Sequence, residues 1–292
     1  MTTSTHKAAG LLAIACALAL TPDSARAAIV YNDGDLILGF RATGGQGAST
    51  DYLLNLGSAA SIIGSAVPIN FNIGSIGGDL TTLFGSWSTR GDVFWSVSGV
   101  QKIAGNGFAN NTMFATRSDT AVAPLGTATT TPWTRPSSFG AGTPAGKIQS
   151  MSQKYGVGTT GNVAGTDQIE SASISGALIQ PVSQSNSFAS FQPFGINTSG
   201  ASAYSYFVDA NGIEGNFAGG ASASVLDLYQ LTPAAGSLPA VFNGNFSIND
   251  GGAVMFTPSG FVVPEPSTVA SLLVGAGLLG SSRRRRALSQ AS

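Results

Sequence analysis

Asp35-Leu-Ile-Leu-Gly-Phe-Arg-Ala42 alternates: Leu36, Leu38 and Phe40 fall on one face of an extended chain. That two-residue period is the mark of a strand with one side toward a core. Asn32-Asp33-Gly34 just before it has the chemistry of a tight turn. Working outward, Tyr52–Leu56, Asp92–Ser98, Thr112–Thr116 and Val225–Leu231 have the same strand character, with Val93, Trp95 and Val97 on one face. Asp-Gly and Asn-Gly steps supply the positive φ of hairpin turns. They predict one hairpin at Asp209-Ala-Asn-Gly212 and another at Asn249-Asp-Gly-Gly252, the latter between Phe246/Ile248 and Val254/Phe256.

Helix is the minority. Thr143 as N-cap, Pro144 at the first helical position, Ile148, Met151 and Tyr155 on one face and Gly156 past the end predict one short helix. Asp79 is expected to cap a second, through Leu80, Leu83 and Phe84. Residues 117–142 and 181–202, rich in small and polar types, read as mobile loops. The expected fold is mainly β: a single β-sandwich or β-rich roll over residues 28–260, with long Gly/Ser/Thr loops and one or two short helices.

Charged residues make up 9% of the chain against roughly 25% in an average soluble protein. Between residues 28 and 263 twelve acidic residues stand against seven basic ones, a net charge of −5. An acidic domain without a basic patch is not expected to bind nucleic acid. With 43% apolar residues and Trp87, Trp95 and Trp133, the chain has enough to bury a core.

Residues 1–27 read as a removable secretory signal. Lys7 and His6 form a weakly basic start, Ala8–Leu20 is apolar, and Ala25-Arg26-Ala27 suits signal peptidase, with cleavage after Ala27. A lipoprotein acylated at Cys16 is the lesser alternative, because Ala13-Ile14-Ala15 lacks the leucine a lipobox wants. Cleavage removes His6 and Cys16, the only histidine and the only cysteine. The mature chain then has no imidazole base, no thiol and no His or Cys metal ligand, which excludes Ser-His-Asp, Cys-His and zinc-hydrolase chemistry. No catalytic residue, cofactor or metal site is expected. Asn32–Asp35 and Asp209–Glu214 are oxygen-rich but lack EF-hand spacing, so they read as turns.

The other terminus carries Val263-Pro264-Glu265-Pro266, an apolar run from Val269 to Gly280, and Arg283-Arg284-Arg285-Arg286. The prolines hold the first part extended. Twelve helical residues span only about 18 Å of a roughly 30 Å hydrocarbon core. A membrane segment over about 267–282 needs its flanking Ser and Thr and the snorkelling arginines to gain length. The arginines would keep the far end cytoplasmic.

This arrangement resembles the PEP-CTERM sorting tail of exported proteins in Gram-negative bacteria, here residues 261–292. The resemblance implies recognition by exosortase, an integral-membrane transpeptidase-like enzyme that cuts near Pro-Glu-Pro. It also implies transient or anchored membrane contact, and residence in the cell envelope or in a biofilm and exopolysaccharide matrix. Asp35–Arg41, Asp51–Gly57 and Phe246–Phe256 are similar to an uncharacterised ectodomain type of such proteins, which brings no activity with it. The expected function is that of a non-enzymatic surface or matrix protein. The alternative is a carbohydrate-binding, lectin-like module in which Trp133, beside Pro132 and Arg135, is exposed to stack on sugar. A carboxylate-only glycosidase is more remote, since it needs two acids about 5–10 Å apart and no pair stands out in the sequence.

Overall fold

The computed structural model describes residues 31–71, 76–118, 125–128, 130, 132–133, 141–152, 169–170, 177–183, 187–191, 212–234 and 238–261. In chain order its elements are β1 (Asp35–Ala42), β2 (Thr50–Ser58), α1 (Ala59–Ile63), β3 (Ile69–Phe71), α2 (Ile76–Phe84), β4 (Val93–Gln101) and β5 (Thr112–Ser118). Then follow α3 (Gly142–Ser152), β6 (Ile169–Glu170), β7 (Ala177–Pro181), α4 (Phe188–Phe191), β8 (Gly215–Asn216), β9 (Val225–Leu231), β10 (Val241–Ile248) and β11 (Val254–Pro258).

The strands form one antiparallel sheet in the order β3-β11-β10-β9-β5-β4-β1-β2-β7-β6, with β8 paired to β4. It is curled like half a barrel, so the architecture is the roll and not a two-sheet sandwich. Two register shifts, at Leu36/Ile37 against β2 and at Phe242/Gly244 against β9, sharpen the local twist.

The alternation in β1 is as the sequence predicts, but both faces are buried. Leu36, Leu38 and Phe40 enter the concave core, where Phe40 lies 6.2 Å from Trp95 and nearly parallel to it. Trp87 and Phe217 meet edge to face at 5.0 Å in the same cluster. Tyr52, Leu228, Phe246 and Phe256 from distant strands share it, which is what curling achieves for a single sheet. Helix α2 plugs the concave side through Ile76, Leu80 and Phe84. Asp79 lies in its first turn and accepts a 2.8 Å hydrogen bond from Tyr52 Oη.

The convex face is covered by α3, α4 and the chain around Trp133. Ile148 of α3 packs with Val100, Met113 and Tyr229, while Met151 packs with Ile37, Leu53 and Phe188. Helix α3 begins at Gly142, just ahead of the expected cap at Thr143, and its described part ends at Ser152. Tyr155, Gly156 and the expected turn at residues 209–211 lie outside the described residues. Gly39 has a packing role, because a Cβ there would run into the Phe188 ring of α4.

The hairpin at Asn249–Gly252 forms as predicted, pairing Phe246 with Phe256 and Ile248 with Val254. Gly252 takes φ +81°, and Asn249 Oδ1 accepts from the Ala253 amide at 2.9 Å. Among the described residues no helix is long and apolar enough to cross a membrane.

Candidate functional site

Strand β11 ends at Pro258, and a short turn follows in which the Phe261 amide donates to the Pro258 carbonyl at 3.2 Å. Ser259 is bonded to Asn243, and Gly260 to the Gly126 carbonyl, each at 2.9 Å. Gly126 takes φ +87°, and a Cβ there would press on the carbonyls of Phe261 and Pro258. Its amide donates to Asn245 Oδ1 at 2.6 Å. The chain is therefore clamped into the domain up to Phe261, two residues before Val263. Val263, Pro264, Glu265, Pro266, the basic cluster Arg283–Arg286, and Ala25 and Ala27 at the other terminus all lie outside the described residues.

The same clamp corrects the expectation for Trp133. Its side chain is only 4% exposed. Gly126 and Thr130 are pinned over β9 and β10: Thr130 donates through its amide and hydroxyl to Asp227 Oδ2, and Tyr229 Oη donates to the Thr130 carbonyl at 2.6 Å. Trp133 is thereby laid on Tyr229 with ring centroids 5.8 Å apart, and Arg117 Cζ sits 5.5 Å from its ring centre. Polar neighbours in sequence mark a loop as wet only where the loop does not itself cover a sheet. Trp87 and Trp95 are core residues, as their alternation and apolar neighbours suggest. Trp95 Nε1 donates to Ser224 Oγ at 2.6 Å.

A cluster of charges lies on the convex face. Arg41 of β1 donates from Nε and Nη2 to the two oxygens of Glu214, at 2.8 and 2.6 Å. Its guanidinium also stacks 5.0 Å from the Phe94 ring centre. Asp51 is the cross-strand neighbour of Arg41 in β2. Asp51 Oδ2 accepts from the Ala189 amide at 2.9 Å, while Oδ1 has no hydrogen-bond partner among the described residues. Burial raises Asp51 to about 7, with the Ala189 bond and Arg41 pulling it back. Burial likewise raises Glu214, opposed by Arg41 and reinforced by Asp51. Two acids thus share one arginine away from water.

Fork-to-fork pairing is strong in geometry, but the desolvation of both ions offsets most of its gain. The cluster's only trace in the sequence is a charge in strands that are otherwise apolar, such as Arg41 in the β1 segment.

The described surface has a cleft of ≈ 330 Å³ beside the β10–β11 hairpin. Asn70, Ser222, Ser247 and Asn249 line it together with Leu125 and Met255, and none of its described lining residues is aromatic or titratable. Among the described residues no group of three or more His, Cys, Asp or Glu is placed to hold a metal ion.

Residues 262–286 match the family model described as the PEP-CTERM protein-sorting motif. No curated protein and no solved structure matches the chain. The match covers the tail alone, and it begins at the residue after the clamped turn.

Proposed function

We propose that this chain, which carries a PEP-CTERM sorting motif, is a non-enzymatic protein of the cell surface or extracellular matrix, delivered by exosortase and associated with exopolysaccharide or biofilm. The motif marks an exported protein sorted through a membrane-associated route to the envelope or beyond. Signal peptidase would remove residues 1–27, and exosortase would act near Val263–Pro266. The observation that carries the reading is the motif at residues 262–286, which begins just after the turn that closes β11.

The folded domain supports a structural role in a different way. Both acids of its buried cluster are withdrawn from solvent, whereas a carboxylate-only glycosidase needs them lining an open cleft. The lectin-like alternative loses its stacking ring with the burial of Trp133, and the cleft offers no other among its described lining.

The test is mass spectrometry of both termini of the protein recovered from its native host, for wild type and Glu265→Ala. The expected result is an N-terminus at Ala28 and a new C-terminus near Pro264–Ser267 that is lost in the variant. A tail intact through Arg286 in both would overturn the exosortase step.

A further inference from the structure

Four large hydrophobic side chains stand out to solvent among the described residues: Val67 (62% exposed), Ile103 (71%), Leu238 (47%) and Val241 (50%). They are far apart in sequence, but the strand registers gather them at one end of the sheet. Ile103 follows the C-terminal end of β4, where Gln101 pairs with Thr112 at the start of β5. The start of β5 meets the end of β9, Met113 opposite Leu231. The end of β9 meets the start of β10, Gln230 opposite Val241, with Leu238 three residues earlier. The start of β10 meets the end of β11, Gly244 opposite Pro258. The end of β11 meets the start of β3, Phe256 opposite Ile69, with Val67 just before it.

All four therefore sit on a single rim, and Phe261, where the clamped chain leaves toward the sorting motif, sits on it too. The stretches 64–68, 103–111, 238–241 and 258–261 contain no charged residue, while the adjoining Asn32–Gly34 turn brings Asp33, which accepts from Gln101 Nε2 and the amides of Lys102 and Ile103 at 2.8–2.9 Å. The neighbouring Lys102 ammonium is held by Asn111 Oδ1 at 2.8 Å and the Gly142 carbonyl at 3.3 Å. The opposite rim carries the Arg90–Asp92 ion pair and the exposed hairpin residue Asp250.

We infer that the Val67/Ile103/Leu238/Val241 rim is a membrane-facing surface that rests in the interfacial layer of the lipid bilayer while the tail is membrane-bound. This rests on the sorting reading above. The apolar stretch that begins at Val269 is eight residues beyond Phe261, a tether of at most about 28 Å. The rim is the part of the domain nearest that tether, so its effective concentration at the bilayer is high and scattered aliphatic contacts are sufficient. The charges beside the rim, Asp33 and Lys102, are each held by hydrogen bonds within the domain. The chain length outside the described residues and the point where it starts favour lipid over a second copy of the domain.

The test uses the mature chain, residues 28–292, which has no cysteine, labelled with an environment-sensitive fluorophore at Ile103→Cys, Val241→Cys or Asp250→Cys. Each is reconstituted into phosphatidylethanolamine/phosphatidylglycerol vesicles containing spin-labelled lipid. The expected result is co-flotation with the vesicles, with quenching at positions 103 and 241 and little at 250. Ile103→Asn/Val241→Asn should retain the thermal transition and lower quenching of a probe at Leu238→Cys about tenfold. Co-flotation with equal quenching at all sites, or with none, overturns the docking and leaves the tail reading standing. Failure to float overturns both. Dimers cross-linked through position 103 without lipid quenching overturn lipid as the occupant in favour of a second copy.

Discussion

Asp51 is the residue whose ionisation the fold opposes most plainly. Its carboxyl is raised by burial from 3.8 to about 7. An acid that holds its proton more tightly folded than unfolded stabilises the fold when protonated, so its contribution grows as pH falls from 7 toward 4 and is lost above 7. The slope for one proton is at most about 1.4 kcal/mol per pH unit. Asp51→Asn keeps an oxygen for the Ala189 amide and removes the titration. The variant is expected to be more stable than wild type at pH 8, with the gap narrowing below pH 7 and closing near pH 4, as read by urea denaturation from pH 4 to 8. An identical pH profile in both would mean that Asp51 is already ionised in the folded chain. None of this was legible from the sequence, because what raises the group is burial beneath segments distant in the chain, against the pull of the Ala189 amide and Arg41.

At the scale of elements, Gly39 is the point where a strand admits a helix. Gly39→Val would drive a branched side chain into Phe188 and is expected to cost about 1–3 kcal/mol or more in chemical denaturation. Phe188→Ala in the same chain should recover part of that loss, which a strand-propensity effect alone would not allow. The strands themselves were readable: β9 spans the predicted Val225–Leu231, and β1 matches Asp35–Ala42. Local alternation and turn glycines sufficed there, and again for the hairpin at Asn249–Gly252. Pairing order was not readable, since setting β5 against β9 joins segments more than a hundred residues apart. Burial of both faces escaped too, as did the resting place of Trp133. Covering the convex side depends on hydrogen bonds that Thr130 and Gly126 donate to Asp227 and Asn245, which have no local signature.

For the whole molecule, the described core closes at Phe261, before the sorting motif begins. A chain stopped after Phe261 is therefore expected to keep the thermal transition of the full chain within about 2 °C, since the described core packing, pairing and hydrogen bonds all lie within the domain. A stop after Gly252, which deletes β11, removes the partner of both β10 and β3 and should abolish the cooperative transition. Both are read by circular dichroism on heating. The tail was legible because its three parts occur in order and in close succession. The domain's role was not, because a charge-poor, aromatic-filled half-barrel presents little exposed chemistry among its described residues to read.

The clamp at Pro258–Phe261 has a mechanical consequence. If the C-terminal tail is held and the protein is pulled, the load enters at the end of β11 and runs along that strand. Its backbone bonds to β10 on one side and β3 on the other are then strained together in shear instead of opening one by one. The Gly260–Gly126 and Ser259–Asn243 bonds must break first, which spares the strand from peeling at its tip. A chain tethered at this end thus meets load with its point of attachment among the firmest parts of the described domain.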